Sequence, residues 1–273
     1  MTRCRHRRDD GATGQGCQKP DHEYLLVAVS PTSLAGEPDR SLCARWQCGA
    51  KENGPVTSRR LAAVLAVVIA VAGLSYSAWV LQFVLPVHAD PVHSFLSELD
   101  AEGKPYRTVF AAGDVLTGAL LIPAGLAGLL LFPRRPLTTL GWAALTVFGA
   151  ATIADALIPL RDCAPGEPGC GGPRELFPQL HQPHALTSTL AVTAIAVAVA
   201  AFSLAAFRYR RWRVLREFGI AAFLAGAVAT VWMLVADRLP GEYALGIAQR
   251  IQVGAMSVWL LTLAAAVLVE ARE

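Results

Sequence analysis

Charged residues are scarce in this chain: they make up 16% of its 273 residues, and the formal net charge is only +3. A soluble domain is usually about a quarter charged, so this scarcity argues against an ordinary water-soluble globule. So small a net charge also argues against nucleic acid as a partner. There is no P-loop, no G-x-G-x-x-G stretch, no heptad charge pattern and no dense cysteine framework. Nucleotide-loop enzymes, coiled coils and small disulfide scaffolds are therefore excluded.

What the chain has instead is apolar residues, 54% of the total, gathered into six long runs of 19 to 25 residues. At about 1.5 Å per residue, a helix of this length crosses a hydrocarbon layer roughly 30 Å thick. So much apolar sequence also excludes disorder of the whole chain. We predict an all-α integral membrane protein, a six-transmembrane-helix bundle, with spans at residues 61–85, 108–132, 138–160, 185–207, 218–237 and 251–269.

Basic residues are distributed unequally between the two sets of loops. Loops 133–137 and 208–217 carry seven Lys and Arg in 15 residues, whereas loops 86–107, 161–184 and 238–250 carry six in 59. Basic loops stay on the cytoplasmic side of a membrane. We therefore predict a plasma-membrane protein with both termini in the cytoplasm.

Residues 1–58 differ from the rest: they hold four of the six cysteines and show no sustained apolar periodicity. We predict that they form a disordered cytoplasmic tail ahead of a membrane domain at residues 59–273. The cysteine spacings in this tail fit no common zinc pattern. A second interpretation is that translation begins at Val56, if its codon is an alternative start, because Arg59 and Arg60 then lead directly into the first span.

The first outer loop contains a helix-like pattern. Asp90 is a suitable N-cap, and Pro91 fits the first helical position. Val92, Phe95, Leu96 and Leu99 recur at helical spacing, so the pattern predicts a short helix lying along the outer membrane surface. Its polar face would carry Ser94, Ser97 and Glu98. Packing of this helix as a lid on the bundle is the simpler expectation, and contact with a substrate or lipid is the alternative.

Several short stretches together resemble a known family. They are residues 94–105, Asp114, residues 159–163, Cys170, His181, His184 and residues 246–250. By these stretches the chain is similar to the actinobacterial and archaeal membrane family called domain of unknown function 998. The resemblance covers residues 60–270 and implies a multi-span membrane protein of a family without an established activity.

Ionisable residues inside the spans are the sharpest chemical signal. Asp114 and Asp155 lie roughly 8–9 Å below the outer ends of spans two and three, judged from the helical rise. Asp237 closes span five on the same side, and Arg250 opens span six. A carboxylate in hydrocarbon costs about 2.5–3.5 kcal/mol, so these groups should face the bundle interior and find partners. We predict a polar cluster of Asp114, Asp155, Asp237 and Arg250, with Arg250 as the best-placed cation, which either fixes the helix packing or binds a ligand.

Histidines on this side suggest a metal site as a weaker alternative. His181 and His184 are three residues apart and would share a helix face if the helix begins early enough. Together with Asp114 or Asp155 they could hold zinc with an open position for water. An isolated pair of histidines is weak evidence, so no cofactor is expected and zinc is kept only as an alternative.

Cys163 and Cys170 enclose a tight loop that is predicted to face an oxidising compartment. A disulfide between them is expected, with two free thiols as the alternative.

Three classes of function remain open. The one we favour is a non-enzymatic membrane protein whose outer polar cluster binds a lipid headgroup, a small ion or a partner. The second is an intramembrane metal-assisted hydrolase of a lipid-like substrate, and the third is a small transporter or proton-coupled carrier. The sequence shows no ionisable residue in the inner halves of the spans, which weighs against transport.

Overall fold

The computed structural model describes residues 55–160, 183–236, 239 and 243–270. The described residues form helices and loops and contain no strand. The helices are α1 (Pro55–Ser75), α2 (Arg107–Leu131), α3 (Pro136–Leu157), α4 (Pro183–Arg208), α5 (Ile220–Ala236) and α6 (Leu245–Glu270). A 3₁₀ segment, Ala78–Phe83, prolongs α1, and a π-helical turn, Leu215–Gly219, precedes α5.

All six helical stretches are long and apolar enough to cross a membrane. Their outer surface is covered by large aliphatic side chains, such as Val64, Leu74, Leu130 and Val228, which are 61 to 77% exposed. A soluble protein would not leave such a surface in water, whereas lipid accepts it. The predicted all-α bundle of six transmembrane helices is confirmed.

The helices pack in a ring. Each of α1, α2 and α3 packs on the next helix, α5 packs on α6, and α6 returns to pack on α1. The consecutive helices α4 and α5 contact each other little, so the ring has a seam between them. An apolar groove follows this seam.

The interior is apolar and close-packed. Phe148, Phe202, Trp142 and Trp259 are at most 1% exposed. Phe202 packs against Trp142 at 4.8 Å and against Trp259 at 6.1 Å between ring centroids. These rings lie in the part of the bundle toward the arginines of the α4–α5 connection.

Close helix contact between α2 and α3 depends on glycine. A Cβ atom at Gly118 would lie 2.3 Å from the carbonyl oxygen of Gly149, a distance that no side chain tolerates. Gly118 of α2 thus lets the two backbones approach closely.

The loop 84–106 corrects one expectation. It has a short helical segment, but this is the 3₁₀ turn Leu96–Glu98, not an amphipathic α-helix over the whole pattern. Asp90 does accept a hydrogen bond from the backbone N–H of Val92 at 2.8 Å, and one helical turn follows. The turn ends at Phe95, whose backbone is extended. The next backbone N–H, that of Leu96, does not continue the helix because it donates to the side chain of Gln249 of α6 at 2.5 Å. Tertiary hydrogen bonds to α6 therefore replace the bonds that would continue the helix.

Several predictions concern residues that the structure does not describe. The tail up to residue 54, Asp237, His181, Cys163 and Cys170 all lie outside the described residues. The disordered tail, the late start and the disulfide remain predictions.

Candidate functional site: an acidic cavity

A cavity opens at the end of the bundle that carries loop 84–106. We call it the polar cavity, and its walls include Tyr76, Trp79, Asp100, Asp114, Asp155 and Ser188. The carboxyls come from loop 84–106, α2 and α3, so three separate parts of the chain converge on it. Neither lysine nor arginine is present among the described residues of its wall.

Asp155, in the last turn of α3, is held by hydroxyl groups of α4. The hydroxyls of Thr187 and Ser188 donate to its Oδ1 at 2.6 and 2.7 Å. The imidazole Nδ1 of His184 lies 3.4 Å from the same oxygen. This network joins α3 to α4 and fixes the direction of the Asp155 carboxylate.

The orientation of the His184 ring follows from a second bond. Its Nδ1 lies 2.8 Å from the carbonyl oxygen of Ile158, which can only accept, so Nδ1 carries the proton. His184 is 8% exposed, and its Nε2 faces the hydroxyl oxygen of Ser188 at 3.5 Å. In the neutral ring, the free lone pair of His184 therefore points toward Ser188.

Asp100 and Asp114 differ from Asp155 because no described side chain donates a hydrogen bond to either carboxyl group. Asp100 is 7% exposed, and burial raises its pKa to about 6, an effect that nearby His184 opposes. Asp114 is half-buried and interacts electrostatically with Asp100 and Asp155. Arg107 donates through Nε to the main-chain oxygen of Asp100 at 3.0 Å, not to its carboxylate. The cavity thus holds acidic groups without a bound counter-charge from the described residues.

The hydrogen-bond partners of Arg250 differ from those predicted. Its guanidinium donates to the carbonyl oxygens of Ser94 at 2.7 Å and Gly246 at 2.9 Å, and to Oε1 of Gln82 at 2.5 Å. Among the described residues it forms no ion pair with Asp114 or Asp155. Arg250 is 7% exposed and connects loop 84–106, α6 and the end of the first span.

The polar residues predicted on the first loop also have distinct positions. Ser97 lines the polar cavity. The carboxylate of Glu98 accepts a hydrogen bond from the N–H of Phe95 at 2.8 Å and so caps the 3₁₀ turn, while Ser94 offers its carbonyl to Arg250. Of the predicted zinc ligands, Asp114, Asp155 and His184 lie near one another, but no three acidic, histidine or cysteine side chains of the described residues are placed to hold one metal ion.

Four residues of the site were not predicted from the sequence: Tyr76, Asp100, Ser188 and Gln249. Ser188 follows His184 by four residues, so their common helix face could have been deduced once the start of α4 was known. Asp100 lies at the end of the helix-like pattern of the first loop, where a helix over the whole pattern would turn it toward water, but the structure has only the 3₁₀ turn Leu96–Glu98 there. No local pattern indicates that this loop folds inward.

The bundle and the acidic cavity define the class: a multipass α-helical membrane protein with a polar cavity at one end. The chain belongs to the family described as "Protein of unknown function (DUF998)", whose model matches residues 61–266. The predicted family is confirmed, and the match excludes the N-terminal tail. No curated protein and no solved structure matches the chain.

Proposed function

We propose that this membrane protein binds the amino or ammonium group of a small organic ligand in the polar cavity. The observation that carries the proposal is that Asp100 and Asp114 lie in the wall of one cavity and that neither carboxyl group has a side-chain hydrogen-bond donor or an ion pair among the described residues. Arg107 and His184 act on Asp100 only through longer-range electrostatics. A buried carboxylate is costly unless it is neutralised or paired. A cationic ligand would supply the missing partner.

An organic cation fits this cavity better than a metal ion. The three carboxyls lie on different walls and do not converge as a group of three ligands. Tyr76, Trp79 and Phe110 line the same space, and aromatic rings attract ammonium groups through their electron-rich faces. Carboxylates together with aromatic rings favour an amine or a quaternary ammonium group.

The packing of the core favours binding of a ligand in the cavity over its transport through the bundle. Tyr76, in the cavity wall, packs edge-on against Phe148 at 5.4 Å between ring centroids. Phe148 and Phe202, deeper in the bundle, are fully buried. This part of the described core is closed by rings, which favours a binding cavity over the carrier that the sequence left open.

We propose further that the cavity faces the extracytoplasmic side of the plasma membrane. The support is the concentration of basic residues at the other end of the bundle, around the α4–α5 connection. There Arg211 pairs with Glu270, and Arg135 lies over the ring of Tyr209 at 4.7 Å. A ligand would then reach the cavity from the outer leaflet or from outside the cell.

The test uses the full chain purified in an uncharged maltoside detergent, with butylamine as the probe and n-butanol as its neutral counterpart. We expect butylamine to raise the melting temperature in a saturable way and butanol to have no such effect. Asp114→Asn should weaken butylamine binding at least tenfold. Glu217→Gln, which removes an exposed carboxylate that pairs with Arg213 outside the cavity, is the matched control and should bind as the original chain does.

Two results would refute this function. One is equal stabilisation by butanol and butylamine, and the other is undiminished butylamine binding in Asp114→Asn.

A second candidate function is hydrolysis of an ester or amide. It is favoured by the spatial arrangement of Ser188, His184 and Asp155, in which the imidazole of His184 lies near both other side chains. Nε2 of His184 lies 3.5 Å from the serine oxygen and Nδ1 lies 3.4 Å from Oδ1 of Asp155, as a base lies between a nucleophile and an orienting carboxylate. In the structure the serine hydroxyl donates to Asp155 at 2.7 Å and Nδ1 donates to the carbonyl oxygen of Ile158, so the hydroxyl must first rotate toward Nε2. Ser188 would attack the carbonyl carbon and pass its proton to His184, which returns it to the leaving group before water releases the acyl group. This mechanism uses no metal, unlike the hydrolase considered from the sequence. Covalent labelling of Ser188 by a fluorophosphonate would support this candidate, and its absence at every pH would exclude it.

A further inference from the structure

A long apolar groove follows the seam between α4 and α5. We call it the seam groove, and its walls include Val192, Val199, Phe223, Gly226, Met256 and Trp259. It extends from residue 192 to residue 199 on α4, which is about 10 Å of helix. The hydroxyl of Thr230 in its wall is already bonded to the carbonyl of Gly226 at 2.8 Å, so the groove offers no free polar group from that residue.

The seam groove and the polar cavity are adjacent and share two wall residues. Val192 of α4 and Met256 of α6 line both spaces, so the groove begins where the cavity wall ends. A molecule lying across these two residues would have one part among carboxylates and the other among aliphatic and aromatic side chains. An amphiphile has these same two parts, a polar head and an apolar chain.

We propose that the ligand is a single-chain amphiphile with a cationic amino head, whose hydrocarbon chain lies in the seam groove. This inference rests on the proposed function and specifies the ligand class of the same site. The head would lie near Asp114 and Asp100, and the chain would pass Val192 and Met256 and continue between α4 and α5 toward the lipid.

A hydrocarbon chain suits the seam groove better than a helix from a second copy of this chain. A packed helix would fill the groove but would leave the two carboxyl groups of the cavity without a cation. An amphiphile accounts for both observations with one occupant. Because the seam is open toward the lipid, the chain can enter sideways from the bilayer without crossing the aqueous phase.

The groove can be filled by mutation from either wall. A Cβ atom at Gly226 would lie 3.5 Å from that of Ala255, an ordinary contact, so Gly226→Leu meets no clash at its first side-chain carbon and adds volume to the groove wall. Ala196→Leu fills the groove from α4 and serves as the second variant if the first does not fold. Ala221→Leu is the matched control, because Ala221 lies on the exposed surface of α5 and does not line the groove.

The experiment uses the full chain in maltoside detergent and a twelve-carbon alkylamine with a photoreactive diazirine in its chain. A fatty acid with the same chain and diazirine is the charge control. After irradiation, we expect the amine to label residues 192–199 and 222–231 at least tenfold more than the fatty acid does. Gly226→Leu and Ala196→Leu should lower this labelling at least tenfold while butylamine still stabilises both variants, and Ala221→Leu should change neither property.

The outcomes separate this inference from the proposed function. If butylamine stabilises the protein but the long-chain amine labels other surfaces, labels no more than the fatty acid, or labels the filled variants equally, the hydrocarbon groove is wrong and the cation site stands. Cross-links between two copies of the protein through the groove would likewise contradict the amphiphile, because they would show that a second copy occupies the groove. If butylamine itself does not bind, the proposed function and this inference fall together.

Discussion

Asp100 is the residue at which burial has the clearest measurable consequence. Its pKa is about 6 instead of the ordinary 3.8, chiefly because the carboxyl is removed from water. Asp155 adds to this shift, while His184 and Arg107 oppose it, and Asp114 also interacts with the group. A raised pKa means that the folded protein binds the proton more tightly than the unfolded chain does. Stability from this group is therefore complete below pH 4 and is lost as the pH rises through 6.

We predict that Asp100→Asn removes this part of the pH dependence. The original chain should lose up to about 3 kcal/mol of stability between pH 4 and pH 7, at about 1.4 kcal/mol per pKa unit, and the variant should lose correspondingly less. The measurement is the midpoint of thermal unfolding at half-unit pH steps. Asp90→Asn is the control, because Asp90 is exposed and its hydrogen bond with His93 lowers its pKa, so it titrates below this window. Identical slopes for the original chain and Asp100→Asn would show that Asp100 does not titrate there.

The residues of the site were predictable to different degrees. Asp114 and Asp155 stand out in the sequence because a charge within an apolar run is expensive wherever the helix packs. Asp100 and Ser188 do not stand out, since a polar residue near the end of a span is ordinary. Their place in the cavity wall depends on how loop 84–106 and the start of α4 fold, and neither is a local property.

At the scale of elements, the docking of loop 84–106 onto α6 decides the shape of the cavity. The N–H of Ile247 donates to the carbonyl of Val92 at 3.3 Å, and Arg250 donates to that of Ser94. Gly246 allows this approach, because a Cβ atom there would lie 2.6 Å from the oxygen of Ser94 and 2.8 Å from that of Val92. The loop backbone thus rests directly on the first turns of α6.

We predict that Gly246→Ala separates the loop from α6. The added methyl group meets backbone oxygens, which cannot rotate away, so we expect a loss of about 1–3 kcal/mol in stability. Thermal unfolding measures this loss, and faster proteolysis within loop 84–106 reports the separation. Gly254→Ala is the control on the same helix, because its Cβ would have no neighbour closer than 3.8 Å. Equal stability of the two variants would contradict the role given to Gly246.

The same docking explains why the surface helix predicted from the first loop is reduced to a 3₁₀ turn. Helical spacing of apolar residues was present, and Asp90 caps the first turn as expected. The sequence pattern contains no information about Gln249, which lies more than 150 positions further along the chain and accepts a hydrogen bond from the N–H of Leu96. Helix propensity in a short loop is weak, and tertiary hydrogen bonds replaced it.

At the scale of the whole molecule, the six spans were predictable because the length of an apolar run is a local property with a direct physical meaning in a bilayer. The ring order and its seam were not predictable. Close packing of α2 on α3 depends on the juxtaposition of Gly118 with Gly149, and the seam depends on α5 packing on α6 instead of on α4. Apolar runs alone do not distinguish these pairings.

The orientation of the bundle gives the last prediction. The arginines between α4 and α5 lie at one end and the polar cavity at the other, so retention of the basic end in the cytoplasm places the cavity outside. We expect that, in a chain without its native cysteines, His88→Cys in loop 84–106 reacts with a membrane-impermeant maleimide on intact cells. Arg213→Cys, which replaces a side chain that is 80% exposed, should react only after the membrane is permeabilised. The same orientation would place Cys163 and Cys170 in an oxidising compartment, where a disulfide can persist. Labelling of Arg213→Cys but not His88→Cys on intact cells would invert the bundle, and the cavity would then have to draw its cation from the cytoplasm.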